Sequence, residues 1–121
     1  MRTTNPLKPC ALAHAHRFGY ILARMAYAVV LAPEAVEDLN RLKASVRSTV
    51  KAALQGHLRS EPERTSRSRI KRLRGLSRPQ YRLRIGDVRV FYDVIEGVVE
   101  VLAIVPKSET STWLAQFGRP Q

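Results

Sequence analysis

Residues 81–105 decide the fold, and they read YRLRIGDVRVFYDVIEGVVEVLAIV. Three runs rich in β-branched and aromatic residues are separated by Gly86-Asp87 and by Glu96-Gly97. Each of these dipeptides is typical of a two-residue loop between antiparallel strands. The pattern therefore predicts a three-stranded antiparallel meander with strands Tyr81–Ile85, Val88–Ile95 and Val98–Val105.

The two-residue loops predict which side chains lie opposite each other. Arg84 should face Arg89 across the first hairpin, and Phe91 should face Leu102 across the second. Because side chains alternate between the two faces of a strand, one face of the meander is apolar throughout. We expect this face to be the core, and its members are Tyr81, Leu83, Ile85, Val88, Val90, Tyr92, Val94, Val99, Val101, Ala103 and Val105.

The opposite face of the meander gathers Arg82, Arg84 and Arg89. A like-charge pair directly across two strands is destabilising by roughly 0.2–1 kcal/mol. A bound phosphate would reverse that effect, since guanidinium groups hold phosphate oxygens in a bidentate manner, and Phe91 beside them would offer a ring for base stacking. The alternative interpretation is that a carboxylate neutralises the arginines, and the nearest ones are Asp87, Asp93 and Glu109.

The sequence before this meander adds helices. Residues 27–31 form a short β-branched run, and Pro33 suits the first turn of a helix. Apolar residues then recur at helical spacing through two segments, with Ser45 as the expected N-cap of the second. We predict an α+β fold with two N-terminal helices packed on an antiparallel sheet of about four strands, the first at an edge. A short C-terminal helix is expected from Ser108 to Phe117.

The first 24 residues lack any clear period and contain no acidic residue. We expect residues 1–24 to be an extension outside the domain, which spans 25–121, with Met25 as a candidate translation start. A chain that begins at Met25 should therefore keep its fold and its activity. The pair His14 and His16 has metal-ligand spacing but no third ligand. We therefore expect neither a metal nor another cofactor.

Composition and charge narrow the class of protein. The chain has 121 residues, which favours one domain, and a formal net charge of +11. Residues 57–89 carry eleven basic and three acidic side chains, a concentration that favours a polyanionic partner. No stretch approaches the ~20 apolar residues of a membrane-spanning helix. The single cysteine, Cys10, excludes an internal disulfide.

The segment 81–94, its following acidic-Gly turn and the strand 99–104 resemble the RelE/ParE toxin superfamily. The upstream runs KRLRG (71–75) and MAY (25–27) fit the same pattern. The resemblance implies a small cytoplasmic toxin with a RelE-like fold, encoded with a cognate acidic antitoxin. RelE-type members enter the ribosomal A site and cut mRNA, whereas ParE-type members inhibit DNA gyrase.

The resemblance also implies roles for individual residues. Arg82 and Arg84 occupy positions where RelE-type toxins place catalytic lysines, and Arg89 matches their phosphate-binding arginine. Lys107 falls near a further basic position, and Trp113 stands near their terminal catalytic tyrosine. The expected catalytic set is thus Arg82, Arg84, Arg89 and Lys107, and the expected RNA-binding set is Lys71, Arg72, Arg74, Phe91 and Trp113.

The chemistry of RNA cleavage leaves the activity open. Attack of a 2′-OH on the adjacent phosphorus needs a base, an acid and charge stabilisation. Arginines stabilise charge but do not deprotonate, so proton transfer falls to Lys107, Glu109 or Tyr92. Three hypotheses remain: a metal-independent, ribosome-dependent mRNA endonuclease, a non-enzymatic gyrase inhibitor, and an inactive relative that binds only RNA or an antitoxin.

Overall fold

A computed structural model describes residues 26–121. The expected extension 1–24, with Cys10, His14 and His16, lies outside the described residues. The elements in chain order are β1 (Ala28–Leu31), α1 (Pro33–Arg41), α2 (Ala44–Ala53), β2 (Ile70–Arg72), β3 (Leu76–Arg78), β4 (Tyr81–Ile85), β5 (Val88–Ile95), β6 (Val98–Pro106), α3 (Thr110–Phe117) and β7 (Arg119–Pro120). A π-helical turn, Leu54–Leu58, continues α2, and a 3-10 turn, Lys107–Glu109, leads into α3. No helix in the described part is long and apolar enough to cross a membrane.

The main sheet has five strands in the order β1-β6-β5-β4-β2. The predicted α+β fold is confirmed, with β1 at an edge as expected. Two details differ from the prediction: β1 runs parallel to β6, and the polar segment before Gly75 supplies a fifth strand, β2, which pairs with β4. The short strands β3 and β7 form a separate two-stranded sheet.

The two N-terminal helices cover one face of the main sheet. Pro33 occupies the first turn of α1, as predicted, and Ala35 and Leu39 are its buried residues. The second helix begins at Ala44, with Lys43 at the N-cap position and no side-chain cap, so the expected N-cap at Ser45 is wrong. Ser45 lies inside the first turn instead, where its carbonyl accepts a hydrogen bond from Thr49 at 3.1 Å.

The first hairpin has the predicted register, but the second does not. Arg84 lies opposite Arg89, as the Gly86-Asp87 loop predicts. Across β5 and β6, however, Phe91 pairs with Ala103 rather than with Leu102, because the register shifts between Phe91 and Tyr92. Leu102 is the extra residue of a β-bulge, which moves every later side chain of β6 to the other face.

The bulge gives the sheet a second apolar cluster. Ala103 and Val105, which we had expected in the main core, lie instead with Phe91 on the face away from α1 and α2. Ile104 takes their place in the main core. Trp113 and Leu114 of α3 pack on the second cluster, as does Leu73. Phe117, at the C-terminal end of α3, is 52% exposed.

The C-terminus is fastened after α3. Pro120 pairs with Leu76 of β3, and the N–H of Gln121 donates to the carbonyl of Gly75 at 3.1 Å. Gly118 permits this turn, because a Cβ at that position would lie 2.6 Å from the carbonyl oxygen of Leu114. The C-terminal end of α3 is therefore tied to β3 and to the turn before it.

Candidate nucleic-acid interface

Four cationic side chains gather on the sheet face that α1 and α2 leave open. Lys71 on β2 pairs with Arg82 on β4, and Arg84 on β4 pairs with Arg89 on β5. Paired residues of neighbouring strands project to the same face, so these four lie together. We call this group, Lys71, Arg82, Arg84 and Arg89, the arginine face.

No carboxylate neutralises the arginine face within residues 26–121. The ion pairs there join Arg41 to Asp38, Arg64 to Glu61, and Arg78 to both Asp93 and Glu100. Asp93, one of the three carboxylates considered above, also accepts the N–H of Gln80 at 2.8 Å. Residues 1–25 contain no Asp or Glu. The arrangement therefore favours an external anion over an internal partner.

Arg89 is the anchored member of the arginine face. Its side chain is largely buried, with 7% of the residue exposed. One terminal nitrogen, Nη1, donates to the carbonyl of Gly86 at 2.7 Å and to that of Val88 at 3.1 Å. These bonds hold the guanidinium against the β4–β5 loop. Arg84, directly opposite, is exposed.

Arg82 carries an unsatisfied donor. Its Nε is buried and has no hydrogen-bond partner among the described residues. Burial lowers the pKa of Arg82, and the charges of Arg89 and Arg84 lower it further. A buried donor without an acceptor is unfavourable by ~1–3 kcal/mol. An oxyanion on this face would supply both the missing acceptor and the missing negative charge.

The aromatic side chains are arranged differently from our expectation. Phe91 is fully buried, and the ring of Trp113 stacks on it with a centroid distance of 4.9 Å and an interplanar angle of 5°. Phe91 therefore has no free ring for a base, and its expected role as an exposed stacking surface is wrong. Trp113 is half-buried above it, and the exposed ring of Phe117 lies 5.5 Å from that of Trp113, centroid to centroid.

The remaining expected site residues are scattered. Arg72 projects to the opposite face, where its guanidinium lies 5.0 Å from the ring centroid of Tyr81. Arg74 is exposed in the turn before β3. Lys107 is close to the arginine face, because its N–H donates to the carbonyl of Asp87 at 2.7 Å, in the loop that Arg89 holds. Of the three basic residues expected on the 71–74 segment, only Lys71 belongs to the arginine face.

Two of the three side chains expected to transfer a proton lie in the 3-10 turn before α3. Tyr92 is not among them, since it is buried on the core side and its hydroxyl donates to the carbonyl of Pro62 at 2.6 Å. Burial raises the pKa of Tyr92 well above its ordinary value. Lys107 and Glu109 are exposed in the 3-10 turn, and Lys107 lines an open cleft of about 480 Å³ with Asp87 and Ser108.

Sequence reasoning missed one basic residue next to this site. The carbonyl of Arg69 accepts the N–H of Arg84 at 2.8 Å, which extends the pairing of β2 with β4 by one residue. Arg69 stands in a polar, aperiodic segment that gives no strand signal. Its position two residues before Lys71 on an extended chain was the available clue.

The fold and the arginine face together define a small α+β protein with a cationic group on the open face of its sheet. The sequence profile of the ParE toxin of type II toxin–antitoxin systems, parDE, matches residues 29–110. The match covers more than half of the chain, so this chain belongs to that toxin family. The resemblance to the RelE/ParE superfamily is thereby confirmed. No curated protein sequence matches the chain significantly.

Solved structures agree with this assignment. The RelBE2 toxin–antitoxin complex from Mycobacterium tuberculosis aligns with a TM-score of 0.57 and 25% identity over 68% of this chain and 92% of that one. The intact RelBE toxin–antitoxin complex from E. coli aligns with a TM-score of 0.54 and 26% identity over 67% of this chain and 96% of that one. The RelE–RelB complex from Pyrococcus horikoshii aligns with a TM-score of 0.52 and 26% identity over 69% of this chain and 97% of that one. The fold is RelE-like.

Proposed function

We propose that this toxin is a ribosome-dependent mRNA endonuclease that binds the phosphate backbone of RNA through the arginine face. The observation that carries the proposal is a cluster of four cations without a carboxylate partner in the described residues, one of them with a buried, unsatisfied Nε. Such a surface suits an anion that brings several acceptor oxygens. The ribosome and mRNA are then its targets, and the cytoplasm is its place of action.

The proposed reaction uses the cations of the protein itself. The 2′-oxygen attacks the adjacent phosphorus, the bond to the 5′-oxygen breaks, and negative charge grows on the phosphoryl oxygens. Arg82 and Arg84 stabilise that charge, and Arg89, fixed by its two carbonyl contacts, orients the phosphate. Lys107 and Glu109 are the groups available to move the protons.

A second candidate is the gyrase inhibition of ParE-type toxins. One observation favours it: the matching profile is that of ParE toxins. In this case α3, with its half-buried Trp113 and exposed Phe117, would contact protein. The arginine face would then have no catalytic task.

Cell-free translation with primer extension on ribosome-bound mRNA decides between the two. The endonuclease proposal expects cuts at the ribosomal A site from the unaltered chain and at least about tenfold fewer from Arg84→Ala. Arg72→Ala is the matched control, since it removes the same charge from the opposite face. Inhibition of purified gyrase without mRNA cleavage would overturn the endonuclease proposal and support the second candidate.

We further propose that a cognate acidic antitoxin restrains the toxin. Support comes from the relatives above, which were solved as toxin–antitoxin complexes, and from the net positive charge of this chain. Carboxylates of the antitoxin would take the place of RNA phosphates, while apolar contacts, which salt does not screen, would hold it in place. Co-purification with the neighbouring gene product in low and in high salt tests this. Failure to co-purify in either would contradict it.

A further inference from the structure

A second group of polar and cationic side chains lies beside the outer edge of the sheet. It lines a cleft of about 300 Å³ between the π-helical turn after α2 and the segment that leads into β2. The residues that matter here are His57, Arg64, Ser66 and Arg69. We call this the His57 cleft, and nothing in the proposed reaction uses it.

The His57 cleft adjoins the arginine face through Arg69. The backbone of Arg69 is bonded to that of Arg84, and Arg69 also lines the cleft. Neighbouring strands lie ~4.8 Å apart, so the backbone of Arg69 is about 10 Å from that of Arg89, two strands away. The backbone positions of cationic residues therefore run from Arg89 through Arg84 to Arg69 at the sheet edge.

The cleft is equipped for an oxyanion. The Oγ of Ser66 accepts the N–H groups of Arg69 and Ile70 at 3.0 and 3.3 Å, which leaves its own proton to be donated. Arg64 is paired with Glu61 at 3.2 Å, but both side chains are largely exposed, so the pair is weak. Arg69 has no carboxylate within 4.0 Å among residues 26–121.

We propose that the His57 cleft binds a second phosphate of the RNA strand held by the arginine face, so that the strand leaves that face over the β2 edge. The inference rests on the proposed function, because it needs RNA on the arginine face. The ligand class is a phosphodiester, held by Arg69, by the hydroxyl of Ser66 and by His57 in its protonated form.

The protonation state of His57 provides a measurement that tests this proposal specifically. In the free protein, burial lowers the pKa of His57, and the charge of Arg69 lowers it further. The charged groups that line the cleft with it are Arg69, Arg64 and Glu61. A phosphate beside the imidazole favours the imidazolium, so binding should raise the pKa of His57 and grow tighter as the pH falls.

Binding of single-stranded RNA to the full chain tests the cleft, with fluorescence anisotropy on oligomers of about four and about ten nucleotides. We expect Arg69→Ala to bind the longer RNA about tenfold more weakly and the shorter one unchanged. The slope of log affinity against log salt should fall by about 0.7 for the lost phosphate contact. Arg67→Ala is the matched control, an exposed arginine two residues away that does not line the cleft.

Proton NMR of the histidines supplies the second measurement. His57 is assigned by its absence from His57→Gln, and the longer RNA should raise its pKa in the unaltered chain. Equal losses from Arg67→Ala and Arg69→Ala, or a pKa of His57 that RNA does not move, would overturn the cleft proposal. If Arg84→Ala weakens binding and Arg69→Ala does not, only the cleft proposal fails. If RNA binding is indifferent to Arg84→Ala, the proposed function fails with it.

Discussion

Arg84 and Arg89 face each other and carry the same charge, yet their removal should change stability in opposite directions. Arg84 is exposed, and within residues 26–121 no carboxylate lies within 4.0 Å of it. Arg84→Ala chiefly removes the repulsion of a cross-strand pair. We therefore expect a gain of roughly 0.2–1 kcal/mol in the free energy of unfolding.

Arg89→Ala removes the same repulsion, but it also removes the hydrogen bonds that attach this side chain to the β4–β5 loop. Two hydrogen bonds to Gly86 and Val88 are lost, each worth about 1 kcal/mol net, together with the packing of a stem that is almost wholly buried. After subtracting the relieved repulsion, we expect a net loss of about 1–2 kcal/mol. For a domain of roughly 100 residues this lowers Tm by about 4–16 °C.

Thermal unfolding followed by circular dichroism measures both variants and the double variant. Each single variant relieves the repulsion between Arg84 and Arg89, but the double variant can relieve it only once. The free energy of unfolding of the double variant should therefore be lower, by roughly 0.2–1 kcal/mol, than the value obtained by adding the two single changes. At about 1 M salt, screening should abolish the gain from Arg84→Ala and leave the loss from Arg89→Ala. Equal destabilisation by the two single variants would refute the anchoring of Arg89. Both variants should lose mRNA cleavage.

Four further substitutions have predictable effects. Lys71→Ala should reduce mRNA cleavage at least about fivefold and Arg72→Ala less than about twofold in cell-free translation, because adjacent strand residues project to opposite faces. Trp113→Ala should lower the free energy of unfolding in urea by ~2–4 kcal/mol through loss of the ring over Phe91. The pKa of His57 is lower in the folded chain than in the unfolded chain, so the unfolded chain binds more protons as the pH falls through 6.5, and the free energy of unfolding decreases. His57→Gln removes this contribution and should make that decrease smaller. If the dependence of Tm on pH is the same in His57→Gln and in the unaltered chain, the prediction for His57 is wrong.

The parts of the fold that follow from local chemistry were predictable from the sequence. The loops Gly86-Asp87 and Glu96-Gly97 leave two residues for each turn, and Gly86, Glu96 and Gly97 have the positive φ angles that tight hairpins require. The first loop fixes the pairing of Arg84 with Arg89, and with it the cationic cluster. Three of the four members of the arginine face could therefore be predicted from the sequence, whereas the place of Lys71 depends on the pairing of β2 with β4.

The bulge at Leu102 was not predictable, because every residue from Val101 to Val105 is apolar. The two faces of a strand can be told apart in the sequence only where polar and apolar residues alternate. In this all-apolar run, a shift of one residue does not change the sequence pattern, so the bulge cannot be detected from it. Phe91 does lie opposite Arg82, as predicted, but its ring is buried rather than exposed. The bulge puts Ala103 and Val105 beside it, and α3 covers all three.

The same bulge explains why the open face of the sheet has two halves of different character. One half is apolar and is closed by Trp113 and Leu114, so it contributes to stability. The other half keeps four cations together and leaves the Nε of Arg82 unsatisfied, which folding alone does not favour. The packed half holds β5 in place, and the two hydrogen bonds of Arg89 hold its guanidinium against the β4–β5 loop without an anion. If the arginine face binds RNA as proposed, Arg89 is already oriented before the phosphate arrives. Lys71 and Arg84, which are exposed, would still lose side-chain entropy on binding.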